Sequence, residues 1–245
     1  MSFTVIIPAR YAATRLPGKP LLDLMGKPML QHTYEQALKS DAQAVYIATD
    51  DSRIQMAAES FGAKVLMTSD SHVSGTDRLQ EAASLIGLSA ADVVVNVQGD
   101  EPLIPPEVIN QVAANIVTKK NIGIATLCEA IADEIEIADP NAVKVVFDKN
   151  GIALYFSRST LPYNASASTR NCYRHIGLYA YRVEVLNQFI QWPVAQLELS
   201  EKLEQLRALY NGVNIHVEVS SQQIPPGVDT ERDLEGVRQF LMRRS

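Results

Sequence analysis

Only two cysteines, Cys128 and Cys172, occur in 245 residues, far apart and with no second cysteine at metal-ligand spacing. That excludes a disulfide framework and a thiolate metal site, and both read as small buried side chains. Basic residues are outnumbered, 22 against 28 acidic ones, for a formal net charge of −6. A surface of that balance is not built to grip nucleic acid by counterion release, so a bound anion must be met by a local cluster of cations. No apolar run approaches the roughly 20 residues needed to cross a bilayer. The opening MSFTVIIPAR lacks the charged region and long apolar stretch of a signal peptide, so the expected location is the cytoplasm, with no membrane or nucleic-acid partner. Internal repeats, low-complexity tracts and long linkers are also missing.

With 47% hydrophobic and 20% charged residues the composition is that of an ordinary globular chain. Its length suits one domain, residues 1–245, with room for a sub-domain. Over the first 130 residues, short Val/Ile-rich runs at 3–8, 45–48, 65–67, 93–97 and 124–127 alternate with amphipathic stretches at 29–39, 53–61, 77–86 and 107–119. Runs without polar alternation read as strands buried on both faces. Strand and helix in turn predict an α/β fold, a doubly wound and mostly parallel sheet. The rhythm then changes. Residues 143–147 and 152–156, joined through Asp-Lys-Asn-Gly, read as an antiparallel hairpin, followed by a strand at 176–181. A smaller antiparallel sub-domain is therefore expected over about residues 141–181. Helices are expected at 183–190, 198–210 and 231–242, with a late strand at 215–219.

The chemistry concentrates at strand ends. Residues 8–20, directly after the first strand, hold Arg10, Arg15 and Lys19 and no acidic residue. In an open α/β sheet ligands bind beyond the carboxyl ends of the strands. Three cations there suit a polyphosphate, each charge-assisted hydrogen bond contributing about 1.5–3 kcal/mol. The P-loop and dinucleotide glycine patterns are both absent. At 95–102, Val-Asn-Val-Gln-Gly-Asp-Glu-Pro brings Gln98, Gly99, Asp100 and Glu101 to the same rim. Asp100 is open to two readings, a Mg²⁺ ligand or a turn former. Asp229 and Thr230 precede the last helix, and Thr230 with Asp233 is spaced like a capping box. If Thr230 caps, Asp229 is available as a second Mg²⁺ ligand; otherwise Asp229 is itself the cap. In an extended strand His175, Gly177, Tyr179 and Tyr181 share a face fit for a hydroxylated ligand, or simply for a hydrogen-bonded core histidine. His32, His72 and His216 read as structural or surface groups. Glu201 and Glu204 lie beside an apolar stripe of Leu199, Leu203 and Leu206, and spacing does not separate a sugar acceptor from a solvated face.

Taken in order, IPARYAATRLPGKPL, SGTDR, NVQGDEP, DPNAVKVVFD, LYFSRSTLP, RHIGLYAYR, LEQLR and GVDT closely resemble the bacterial 3-deoxy-manno-octulosonate cytidylyltransferases, the CMP-Kdo synthetases, over residues 2 to about 240. The resemblance implies a nucleotidyltransferase α/β fold, Mg²⁺ as cofactor and a homodimer. It implies a reaction of CTP with the eight-carbon acid sugar Kdo that gives CMP-Kdo and pyrophosphate for lipopolysaccharide assembly. By the same resemblance Arg10, Arg15 and Lys19 contact the CTP phosphates, Ser74, Gly75 and Arg78 lie against the nucleotide, and Asp100 and Asp229 are the metal ligands. Lys19, Asp100 and Asp229 are then the catalytic set, and Gln98, Arg158, His175, Tyr179 and Glu204 fall on sugar-binding positions. The sub-domain would serve sugar binding and dimerisation. The connection at 162–175 is shorter than in the enterobacterial form, and some members of the family take the 8-amino analogue of Kdo, which makes that sugar the alternative substrate. Remoter alternatives are a UTP- or GTP-dependent pyrophosphorylase and a nucleotide sensor without turnover.

Overall fold

The computed structural model describes residues 2–12, 16–72, 74–163 and 171–243. In chain order the elements are β1 (Thr4–Ala9), β2 (Asp23–Leu24), β3 (Lys27–Pro28), α1 (Met29–Leu38), β4 (Ala44–Thr49), α2 (Ser52–Ser60), β5 (Lys64–Met67), α3 (Gly75–Ile86), β6 (Val93–Asn96) and α4 (Pro106–Thr118). There follow β7 (Ile124–Ala130), α5 (Glu134–Ala138), β8 (Lys144–Phe147), β9 (Ala153–Ser157), β10 (Tyr173–Arg182), α6 (Val183–Phe189), α7 (Gln196–Glu201), α8 (Gln205–Tyr210), β11 (Ile215–Val219) and α9 (Glu231–Met242). Among the described residues the main sheet runs β11-β7-β10-β6-β1-β4-β5, with the β8–β9 hairpin added through β10, and β2–β3 form a small antiparallel pair.

β1 pairs in parallel with β4 and β6, β4 with β5, and β11 with β7. Side chains alternate across the sheet, so Val5, Ile7, Val95 and Val97 pack with α1, α2 and α4 on one face, and Ile6, Ala48 and Val94 with α3, α6 and α8 on the other. This is the expected doubly wound, mostly parallel sheet. The exception is β10, which lies antiparallel between β6 and β7. Its register slips between Ile176 and Tyr179, where the Thr126 hydroxyl meets the main-chain oxygens of Ile176 and Leu178 at 2.9 and 2.8 Å. The slip takes up two residues, so the alternation of faces survives it. The hairpin expected from 143–147 and 152–156 is present as β8 and β9, and it joins the main sheet through Arg174 opposite Lys144. Cys128 and Cys172 are both buried and free, and burial pushes the Cys128 thiol up to about 12.

One expected helix, 198–210, is two. The chain leaves α7 through Lys202 in the left-handed region, φ 52°, and re-enters helix at Gln205. No described helix is long and apolar enough to cross a membrane.

Candidate active site

Parallel pairing puts the carboxyl ends of β1 and β6 at one edge. Between them lies a cavity of about 270 Å³ lined by Arg10, Lys19, Gly75, Gln98 and Asp100, among others. The backbone there is close-packed. A Cβ on Gly99 would stand 3.2 Å from the Pro8 carbonyl oxygen and 3.3 Å from a Leu30 methyl, so a side chain there would require its neighbours to give by a few tenths of an ångström. The Arg10 Nη2 is buried and, among the described residues, has no hydrogen-bond partner. A guanidinium nitrogen so placed is a donor waiting for an anion. Arg15, expected to join it, lies outside the described residues.

Lys19 opens a short 3₁₀ turn after Gly18, whose φ of 68° suits glycine. Its Nζ donates to Asp100 Oδ2 at 2.5 Å and to Asp229 Oδ1 at 3.0 Å. Burial lowers the Lys19 pKa, but Asp100 and then Asp229 outweigh it and raise the group above its ordinary value. Two carboxylates from distant parts of the chain thus meet on one cation. The main chain explains how: Val228 N–H donates to the Asp100 carbonyl at 2.9 Å, seating the 227–229 segment on the end of β6. Thr230 settles the capping question. Its hydroxyl accepts from Asp233 N–H, the Asp233 carboxylate accepts from Thr230 N–H, and the Asp229 carboxylate reaches Lys19 instead. Beside Asp100, Glu101 is pushed up to about 8, by burial first and then by the Asp100 charge, and its Oε2 has no partner among the described residues.

The donor set fits Mg²⁺. Two aspartates converge at the mouth of a cavity that carries cationic donors for phosphate, and Mg²⁺ is ordinarily bound by one or two carboxylates together with substrate phosphates. Among the described residues there is no cluster of three or more His, Cys, Asp or Glu of the kind that forms an all-protein metal cage.

Residues 74–78 tie this rim to a second group. The Ser74 side chain accepts from Asp77 N–H and Asp77 returns the bond, a capping box at the start of α3. Gly75 forms cavity wall. The Thr76 hydroxyl donates to Glu204 Oε2 at 2.5 Å. Arg78, expected beside the nucleotide, is fully buried and is not among the cavity-lining residues; its Nη2 lies on Asp50 at 2.8 Å and its Nη1 on the Thr68 hydroxyl. A buried guanidinium needs a carboxylate, and this one is met at the ends of β4 and β5, where it pins α3 to the sheet. Ser74 likewise has its hydroxyl engaged in the cap.

The second group stands on β10 and the α7–α8 turn. His175, Tyr179 and Tyr181 form the expected row, ring centroids 5.3 and 5.6 Å apart, and Phe156 meets the His175 edge at 4.9 Å. His175 Nε2 lies 3.0 Å from the Thr126 hydroxyl, and burial pushes its pKa down to about 3, so the ring is neutral. Burial also raises Tyr179 well above the ordinary phenol value. Tyr179, Tyr181, Glu204 and Gln205 line a small cavity of about 60 Å³. Gln205 escaped the sequence reading. Its Nε2 is buried with no partner among the described residues, and the signal was its place immediately after Glu204. Arg158 stands apart: its guanidinium rests on the carbonyls of Pro140 and Glu201, both within hydrogen-bond distance. Gln98 belongs to the cationic cavity, not to the tyrosine row.

A phosphate-ready rim joined through one helix turn to a polar cavity is the layout of a nucleotidyl-transfer enzyme, and the chain belongs to the cytidylyltransferase family, whose model matches residues 4–215. The 3-deoxy-manno-octulosonate cytidylyltransferase of Cellvibrio japonicus is 56% identical over 98% of both chains, and that of Vibrio vulnificus 53% over the whole of both. A solved CMP:2-keto-3-deoxy-manno-octonic acid synthetase complexed with CTP superposes with a TM-score of 0.94, at 43% identity over 100% of this chain and 99% of that one. A Leptospira borgpetersenii cytidylyltransferase, 15% identical with a TM-score of 0.65 over 99% of this chain and 87% of its own, shares the fold.

Proposed function

We propose that the protein transfers the cytidylyl group of CTP to Kdo, giving CMP-Kdo and pyrophosphate for lipopolysaccharide assembly. The observation that carries the reading is the meeting of Asp100 and Asp229 on Lys19 at the cavity that holds the unpartnered Arg10 nitrogen. The names of the relatives favour Kdo over its 8-amino analogue, and CTP over UTP or GTP.

The anomeric 2-hydroxyl oxygen of the sugar attacks the α-phosphorus. The bond from that phosphorus to the bridging oxygen breaks, pyrophosphate leaves, and the hydroxyl proton is released. No covalent enzyme intermediate is needed, so rate comes from positioning and charge stabilisation. Arg10 and Lys19 receive the negative charge of the departing pyrophosphate. The Lys19 ammonium gives two of its three protons to Asp100 and Asp229 and keeps one for a phosphate oxygen, and a cation taking up the two carboxylates would turn the other two toward phosphate as well. Asp100 and Asp229 would hold Mg²⁺, which supplies charge neutralisation at the phosphate and a lowered hydroxyl pKa. The neutral His175 ring, with Tyr179, Glu204 and Gln205, offers donors and acceptors for sugar hydroxyls. Arg158 falls on a sugar-binding position by resemblance, and its guanidinium meets the main-chain oxygens of Glu201 and Pro140.

A homodimer and a cytoplasmic location belong to the same proposal. Leu154 and Tyr163, 63 and 90% exposed, lie within the sub-domain to which the resemblance assigns dimerisation. The test is pyrophosphate release with each of the four nucleoside triphosphates against Kdo and the 8-amino sugar. Release with CTP and Kdo above every other pair supports the reading; preference for another nucleotide or for the amino sugar overturns it.

A further inference from the structure

Among the described residues two large charged side chains are fully buried, Arg78 and Lys144. Arg78 has a carboxylate partner. Lys144, the first residue of β8, instead directs its ammonium at three main-chain oxygens, those of Asp139, Ala142 and Arg158, at 2.7, 2.5 and 2.8 Å. An ammonium has three protons, so every donor is met. A buried charge without a carboxylate costs stability, and its effect must lie in what the three carbonyls hold together.

One of them is Arg158, at the end of β9, whose other contacts lead across to α7. Its N–H donates to Glu201 Oε2 at 2.9 Å, its Nε to the Glu201 carbonyl at 2.8 Å and its Nη1 to the Pro140 carbonyl at 2.9 Å. The Ser157 hydroxyl donates to the other Glu201 oxygen at 2.6 Å. Glu201 is the last residue of α7. Immediately after it Lys202 takes a left-handed conformation, and the chain delivers Glu204 and Gln205 to the tyrosine cavity. Lys144 and Glu201 do not line that cavity.

We propose that Lys144 and Glu201 are positioning residues for sugar binding: Lys144 fixes the end of β9, Glu201 fastens α7 to it, and the turn carrying Glu204 and Gln205 is thereby held at the cavity. The inference rests on the reading of that cavity as the sugar site. It gives the Lys of DPNAVKVVFD and the first Glu of the SEKLEQLR stretch a role that neither substrate contact nor a solvated face supplies.

The test compares Lys144→Met, which keeps the unbranched stem without the ammonium, Glu201→Ala and Glu204→Gln, alone and with each of the first two combined with the third. Steady-state KM for Kdo, kcat and the calorimetric Kd for CTP are read, with melting temperature as a control. Lys144→Met and Glu201→Ala should each raise the Kdo KM about tenfold or more, leave the CTP Kd within about twofold, and add little to Glu204→Gln, because groups acting through one element couple. A merely structural role lowers melting temperature and the folded fraction without moving the Kdo KM. Should Lys144→Met not fold, Glu201→Ala carries the test. An unchanged Kdo KM in the folded variants, or effects that add fully to Glu204→Gln, overturns the proposal and leaves the site standing. An unchanged Kdo KM in Glu204→Gln itself overturns the site and the proposal with it.

Discussion

Replacing Lys19 by Met removes the ammonium and keeps the apolar stem, one atom shorter, so most of the packing is preserved while Asp100 and Asp229 lose their shared cation. Lys19 and Asp100 are 13 and 31% exposed and 2.5 Å apart, whereas Asp229 is 55% exposed. A charge-assisted hydrogen bond at the first contact contributes about 1.5–3 kcal/mol. The second is discounted for solvent screening to about 0–1 kcal/mol. A net loss of about 2–3 kcal/mol should lower the melting temperature by roughly 5–10 °C in a chain of this size. Millimolar Mg²⁺ should restore part of that loss in the variant and have a smaller effect on the nucleotide-free parent, in which Lys19 already sits between the carboxylates. CTP affinity should fall roughly ten- to a hundredfold, the equivalent of one lost phosphate contact. Scanning calorimetry with and without Mg²⁺, and CTP titration, read all three. A variant that melts within a degree of the parent and gains nothing from Mg²⁺ would show that the three side chains do not form one charged unit.

Arg78→Met leaves Asp50 without its buried partner and should cost about 3–5 kcal/mol in denaturant unfolding, far more than an exposed phosphate contact would. His175 is pushed down to about 3 by burial, below its unfolded value, so the unfolded chain takes up a proton that the folded chain refuses. Its contribution to stability is intact above about pH 6.5 and declines as pH falls toward 3, by up to about 1.4 kcal/mol per pH unit. His175→Gln should flatten that limb of the stability profile, and an unchanged slope would contradict the burial argument. Gln205→Leu fills the same space without the unpartnered amide; it should raise the Kdo KM and leave CTP binding unaltered, whereas a defect in CTP binding would place Gln205 elsewhere.

The sheet was largely legible because strands buried on both faces are nearly uninterrupted Val and Ile, as in Val93–Asn96, and because helices carry their caps, as Thr230 and Asp233 do for α9. The cationic loop and the NVQGDEP carboxylate were legible for the same reason: a residue just past a parallel strand has one place to be. What pattern does not encode is who lies beside whom. The insertion of β10 between β6 and β7 follows from long-range pairing. The break at Lys202 falls in a run with good helical periodicity, where tertiary contacts to Arg158 override local preference. The resemblance of SGTDR alone places Arg78 against the nucleotide, and that its guanidinium meets Asp50 and Thr68 follows from contacts distant in sequence, which no local pattern encodes. A lysine opening a strand reads as an edge residue, so the buried ammonium of Lys144 gave no signal at all.

The two aspartates and their shared lysine can be checked most directly by crystallising the protein with CTP and Mn²⁺ and locating the ion from its anomalous signal. The geometry predicts a peak within coordination distance of both Asp100 and Asp229, with Lys19 Nζ shifted onto phosphate oxygen. An ion bound elsewhere, or Lys19 still clamped between the carboxylates while CTP occupies the cavity, would contradict it.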